Sequence, residues 1–373
     1  MMRHIIARIL TLPWLTIGCV FLLSLIGALA LFSASQGSWS PWAERHIIRA
    51  VFGVFLMVLI LLVPIRYIFQ SSYLIYIAAL IVLVGIQAIG YGQGATRWIS
   101  IGPLNFQPSE PAKLAVVLAL SRYFSARTPE QINSFLTYIP AFVIVALPVS
   151  LVLIQPDLGT SLMILLGGLI VIYSAGIPYR YIGLLVVAAM AALPVLWSNL
   201  YDYQKQRVLT FFNPEDDLLG AGFQITQSKI ALGSGGIFGK GFLMGSQSQL
   251  NYLPEKQTDF VFTMIGEEFG LVGNLAVLLI YFLIFYSILR LSWRVQHRYG
   301  RLVCAGISGM LFLYVFVNVA MVTGLVPVVG VPLPLISYGG TAMLTVFIAL
   351  GLVNAMALSS DLDDEDLLLA SRR

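Results

Sequence analysis

Apolar residues run through this chain in blocks long enough to cross a bilayer, and its polar residues collect between the blocks. A transmembrane helix needs about 20 mostly apolar residues. Ten segments meet that requirement, at roughly 12–33, 47–65, 71–91, 110–126, 136–154, 159–176, 179–198, 262–290, 301–325 and 341–359. They predict an all-α integral membrane protein of about ten transmembrane helices, forming one polytopic domain over residues 1–373. Segments seven and eight are separated by a long polar connection, about 199–261, while the other connections are short.

Composition agrees with this pattern. Hydrophobic residues make up 59% of the chain and charged residues only 10%, against about 25% charged in soluble domains. The net charge of +4 is modest. No Lys/Arg-rich stretch interleaved with aromatics lies outside the apolar blocks, which argues against a nucleic-acid partner. Cys19 and Cys304 sit inside apolar runs and read as small hydrophobes rather than a disulfide or metal pair. No small-residue cleavage site follows a short apolar core after MMRHIIARIL, so the first segment reads as a retained anchor.

Arginines set the expected orientation. Arg3, Arg8, Arg66, Arg122, Arg127, Arg180, Arg290, Arg294, Arg298 and Arg301 fall on one side in short loops or tails, as cytoplasmic loops do. Both termini are then cytoplasmic, and the acidic run after Asp361 reads as a solvated tail. The connection 199–261 faces the opposite, extracytoplasmic side. That side nevertheless carries Arg45, Arg49, Arg97, Lys113, Lys205, Arg207, Lys229, Lys240 and Lys256, against the usual bias. Nearby carboxylates such as Glu110 and Glu255 can offset them, or an anionic ligand such as a pyrophosphate can.

Five stretches carry candidate chemistry. In Gln107-Pro108-Ser109-Glu110-Pro111-Ala112-Lys113, proline starts a helix. Glu110 and Lys113 then share a face and can pair at membrane depth. Asp157, before the sixth segment, reads as an N-cap or as a group facing a cavity. Thr258 is expected to cap the eighth helix, placing Asp259 in its first turn, where the helix dipole favours an ionised carboxylate. Such a carboxylate can accept a proton or hold a divalent cation. Glu267 and Glu268 follow, as a polar lining or as helix-packing groups. The glycine-rich run 220–241 is not a P-loop, because Ser234 stands where the first glycine is required and Gly241 follows Lys240. It reads as a flexible loop whose backbone N–H groups suit a bulky polar head group. Residues 327–340 contain three prolines, which exclude a regular helix. This apolar segment is expected to dip into the membrane, where non-helical backbone survives only inside protein or along a cavity. Asn318, shortly before it, reads as helix–helix glue.

Taken together, NFQPSEPAK (105–113), QPDLGT (155–160), DYQKQRV (202–208), the run 220–241, LPEKQTDF (253–260), GEEFG (266–270) and VPLPLISYGG (331–340) resemble the SEDS family (shape, elongation, division and sporulation) across nearly the whole chain. Gly245-Ser246-Gln247-Ser248-Gln249-Leu250 is most similar to the elongation branch, with the division and sporulation branches as alternatives. The resemblance implies an enzyme of the bacterial cytoplasmic membrane, a peptidoglycan glycosyltransferase. It would polymerise lipid II, a disaccharide-peptide on undecaprenyl pyrophosphate, during cell elongation. It further implies Asp259 as the essential acidic residue and Glu110 with Lys113 as a supporting pair. A class B penicillin-binding protein and other elongation-complex proteins are implied as partners.

Both lines of argument converge on an inverting displacement, with Asp259 as general base and possible help from Mg or Mn. Arg97, Asp157, Arg207, Lys229, Lys240, Thr258 and Ser337 are the expected substrate-binding residues. No organic cofactor is expected. A flippase for lipid II is the rival reading, but it would need anionic-ligand groups on both faces.

Overall fold

The computed structural model describes residues 12–89, 97–101, 104–200, 202–214, 217, 220–250, 252–253 and 255–359. The arginine-bearing N-terminal tail and the acidic C-terminal tail lie outside them. Each of the ten apolar segments forms helix. In chain order these are α1 (Trp14–Ala34), α2 (Trp42–Leu61), α3 (Ile65–Ile89), α4 (Ser109–Ser125), α5 (Tyr138–Ile154), α6 (Leu158–Ser174) and α7 (Tyr179–Asn199). Two helices of the polar connection follow, α8 (Asp202–Phe212) and α9 (Ala221–Gly235), then α10 (Val261–Arg294), α11 (Arg298–Val322) and α12 (Gly340–Leu358).

Among the described residues, six helices are long and apolar enough to cross a membrane: α1, α3, α5, α10, α11 and α12. The other predicted spans fall short for physical reasons. Helices α4 and α6 have 17 residues each, and α2 carries Glu44, Arg45 and Arg49.

Helix α4 is the axis of the bundle. Nearly every residue from Ser109 to Phe124 is buried, the signature of a helix covered on all sides. It packs against α3, α6, α11, α12 and α5. Helices α2 and α12 approach closely. A Cβ on Gly53 would lie 2.2 Å from the Phe347 ring, and one on Gly351 would lie 3.0 Å from the Met57 carbonyl. Small residues permit such contacts where no hydrophobic effect drives helices together.

Two findings depart from the sequence reading. The chain is not wholly helical, since Ile99–Ile101 (β1) and Leu104–Phe106 (β2) pair antiparallel, with Ser100 opposite Asn105. The glycine-rich run is also not a free loop. Its first part is α9, and its remainder latches onto a break in α10. Gly270, at φ +68°, interrupts that helix. The carbonyls of Glu267 and Glu268, freed by the break, accept bonds from Lys240 N (3.0 Å) and Gly241 N (3.0 Å). Leu271 N and Val272 N bond to the carbonyls of Gly236 (2.9 Å) and Ile237 (3.1 Å). Sequence alone could not reveal this, because the glycines answer to backbone some 30 residues downstream. A Cβ on Gly239 would sit 2.1 Å from the Glu268 carbonyl oxygen. The N–H groups expected to meet a head group are thus used inside the fold.

Gly239→Ala combines that clash with a φ of +81°. It should cost about 1–3 kcal/mol and lower the thermal unfolding temperature of the purified protein. Gly233→Ala, where a Cβ meets open space, should not.

Candidate functional site

The site forms where the turn ahead of α10 meets the proline-rich segment between α11 and α12. Residues 255–260 wind around one carbonyl: the amides of Thr258, Asp259 and Phe260 all bond to Glu255 O, at 3.1, 3.2 and 3.3 Å. The expected helix cap is absent. Helix α10 starts at Val261 without a side-chain cap, because Thr258 donates its hydroxyl to the Glu255 carboxylate at 3.0 Å. Asp259 therefore stands just before the helix rather than in its first turn.

Hydrogen bonds from the proline-rich segment and from α11 tie this turn in place. Tyr338 N donates to Gln257 O at 2.8 Å. The Ser337 hydroxyl donates to Thr258 O and accepts from Leu333 N at 2.8 Å. Asn318, on α11, donates from one amide nitrogen to Asp259 O at 2.9 Å and to Val331 O at 2.7 Å. Gly330 then lies beneath the Asp259 carboxylate, and a Cβ there would be 3.4 Å from Oδ2. Arg207, on α8, reaches the same place by donating to Val328 O at 3.2 Å.

The Asp259 carboxylate accepts no hydrogen bond from a described residue. Burial and the nearby Glu255 carboxylate push its pKa up to about 6, against the opposing pull of the Arg207 guanidinium. A partly buried carboxylate without fixed donors, titrating near neutrality, suits proton transfer.

Beneath it, α4 and α11 enclose the predicted pair. Lys113 Nζ lies 2.7 Å from Glu110 Oε1, with both residues buried. The Tyr314 hydroxyl accepts from Lys113 and donates to the second Glu110 oxygen, while Lys113 also lies 4.3 Å from the Tyr314 ring centroid. Tyr314 and Asn318 are one helical turn apart on α11. One helix face thus connects the buried pair to the Asp259 peptide.

The remaining predicted residues separate. Asp157 caps α6, accepting from Thr160 N at 3.1 Å, Thr160 Oγ1 at 2.9 Å and Gln107 Nε2 at 3.2 Å. Arg97 donates to the carbonyls of Gln155 and Pro156. Both thereby hold the start of α6, where Gly159 lets the Val329 carbonyl approach. Lys240 pairs with buried Glu267 at 2.8 Å, which also collects Ser246 Oγ and the amides of Gln247 and Ser248. Glu268 is held by Ser33 of α1. The acidic pair thus packs helices. Lys229 is exposed, with its ammonium against Gly324. Arg207 is the predicted basic residue brought to Asp259. Tyr314 and Gly330 escaped the sequence reading, as one resembles core aromatics and the other an ordinary turn glycine.

Known proteins share this fold. The fold and motifs define a polytopic membrane protein, and the chain belongs to the FtsW/RodA/SpoVE family, described as a cell cycle protein, whose pattern matches residues 4–361. It is 44% identical to the peptidoglycan glycosyltransferase MrdB of Escherichia coli K12 over 87% of this chain and 88% of that one. It is 31% identical to the peptidoglycan glycosyltransferase RodA of Treponema pallidum, over 89% and 94%. Among solved structures, it superposes on a chain of a peptidoglycan synthase complex described as coordinating polymerization and crosslinking. The TM-score is 0.79 at 31% identity, covering 93% of this chain and 98% of that one. It superposes on Thermus thermophilus RodA with a TM-score of 0.69 at 28% identity, covering 92% and 96%.

Because the pKa of Asp259 is higher folded than its ordinary 3.8, the folded state binds the extra proton between those values. Stability is therefore lost as pH rises from about 4 through 6. Asp259→Asn removes the buried charge. It should unfold at a higher temperature than the parent at pH 8, with the difference vanishing by pH 4.

Proposed function

We propose that this chain is a peptidoglycan glycosyltransferase that polymerises lipid II by direct displacement, with Asp259 as the general base. The observation that carries this reading is the Asp259 carboxylate: partly buried, without a hydrogen-bond donor among the described residues and with its pKa pushed up to about 6, on a turn anchored by α11 and the proline-rich segment.

The donor sugar enters as an α-linked pyrophosphate and leaves as a β-1,4 glycan, so the anomeric centre inverts in one step. Asp259 takes the proton of the acceptor 4-hydroxyl as its oxygen attacks the anomeric carbon. The bond to pyrophosphate breaks on the opposite face, and the lipid pyrophosphate departs already charged, without needing a general acid. Base assistance of this kind contributes about 10²–10⁴-fold. Arg207, held at the rim by Val328, offers its remaining N–H groups to the leaving pyrophosphate.

The residues present fit a divalent cation modestly. Asp259 and Glu255 are close enough for one carboxylate to raise the other's pKa, and a bound cation would relieve that repulsion. Those two carboxylates would hold Mg or Mn, with water and pyrophosphate oxygens completing the shell. Such an ion would supply further neutralisation of the leaving group.

The same proposal includes ten spans in one polytopic domain, with both termini cytoplasmic and Asp259 at the extracytoplasmic face. The arginines at the end of the bundle remote from Asp259 support this orientation. Lipid tails would lie between helices while the sugar reaches the site. Coordination of polymerization and crosslinking in the matched complex supports a class B penicillin-binding protein as partner and a role in elongation.

Purified chain with labelled lipid II, with and without that partner, should produce glycan ladders. Asp259→Ala should lower their rate by at least about 10²-fold while still binding the partner. Normal ladders from that variant would refute the assignment, and lipid movement without glycan would favour a flippase. The rate should fall as pH drops through about 6, because the base must be unprotonated. Glu255→Gln should move that limb to lower pH and Arg207→Gln to higher pH, which pH–rate profiles of the three proteins will show.

A further inference from the structure

The end of the bundle remote from Asp259 carries a crevice that the polymerisation chemistry does not use. It lies between the first residues of α1 and the last turns of α10 and α12, with a volume of about 380 Å³. Its walls are of two kinds. Leu12, Pro13, Leu15, Leu291 and Ala357 form an apolar side, while Arg290, Arg294 and Ser287 form a polar one.

The polar side is prepared for an anion. Arg290 and Arg294 are one turn apart on α10 and make no ion pair or hydrogen bond with any described residue. Ser287 lies one turn before Arg290 on the same face, and its oxygen accepts from Thr16 Oγ1 at 2.8 Å, leaving its own proton to donate. Two guanidinium forks and a hydroxyl on successive turns match the oxygens of a phosphate. A void between apolar walls and unneutralised charge calls for an occupant with both characters. Trp14, Tyr286 and Trp293, exposed at 54%, 50% and 85%, ring this end as aromatics do at the depth of lipid head groups.

We infer that this crevice binds one anionic phospholipid, its phosphate on Arg290, Arg294 and Ser287 and its acyl chains along the apolar wall. Basic pockets between membrane helices recognise anionic head groups in this way. The occupant is a membrane lipid rather than free phosphate because the apolar wall contributes only if the anion carries a tail.

Native mass spectrometry of the purified full chain will test this, offering phosphatidylglycerol and phosphatidylcholine of identical acyl chains at equal concentration. Two arginines near a membrane surface predict about a thirtyfold preference for one phosphatidylglycerol per chain. Arg290→Gln/Arg294→Gln should reduce that preference to about unity. Arg66→Gln, an exposed arginine lacking these partners, should keep it. Phosphatidylglycerol should also raise the unfolding temperature of the parent protein and not of the double variant. Should the double variant fail to fold, the head-group comparison on the parent protein decides alone.

Equal retention of both lipids would overturn the inference, as would a preference that survives in the double variant. Protection by soluble glycerophosphoglycerol equal to that by the lipid would show an anion site without lipid recognition. A preference emerging only after the five carboxylates between Asp361 and Asp366 are converted to amides would show that the acidic tail fills the crevice instead.

Discussion

Backbone that is not helical must still satisfy its N–H and C=O groups when it is buried among apolar helices, and this requirement organises the end of the molecule that holds Asp259. The proline-rich segment between α11 and α12 cannot bond to itself, so it borrows partners. Asn318 serves two carbonyls from one side chain, and Ser337 bridges two strands of chain. The Tyr281 hydroxyl takes the Pro334 carbonyl from α10. The peptide that bears Asp259 is caught in the same set of bonds. Its position is therefore inherited from the need to keep a re-entrant segment satisfied.

This arrangement separates holding from reacting. The Asp259 backbone is fixed, while its carboxylate is left without donors among the described residues and tuned by burial, Glu255 and Arg207. A carboxylate held by hydrogen bonds would be a weaker base, because those bonds stabilise the charged form. Glu267 shows the contrast. It accepts from Lys240, Ser246 and two backbone amides and acts as a fastener between the glycine run and α10.

Much of this was readable in the chain, and the boundary of what was readable has a physical cause. Local rules worked where partners are near in sequence. The apolar blocks gave helices, the three-residue spacing placed Glu110 beside Lys113, and Asp157 is the N-cap its position suggested. Asn318 is not the helix–helix glue its place in an apolar span suggested, since it donates to the non-helical backbone at Asp259 and Val331. Rules failed where the partner is remote. The glycines of 235–241 look like freedom in isolation but are demanded by the break at Gly270. Arg207 meets Val328 across 121 residues, and nothing local distinguishes it from Lys229 or Lys240. The motif resemblance singled out Asp259, and the geometry places its carboxylate beside Arg207 and Glu255 without a hydrogen-bond donor among the described residues.

Glu110, Lys113 and Tyr314 form a closed, electrically neutral unit deep in the bundle. Each member is bonded to the other two. Removing one leaves an orphaned charge in a medium that cannot solvate it, whereas exchanging all three for shape-matched apolar groups leaves none. One-at-a-time substitution surveys would therefore rank these residues beside Asp259 in severity, though their part is architectural. Severity of phenotype and participation in bond-making are separate properties in this protein.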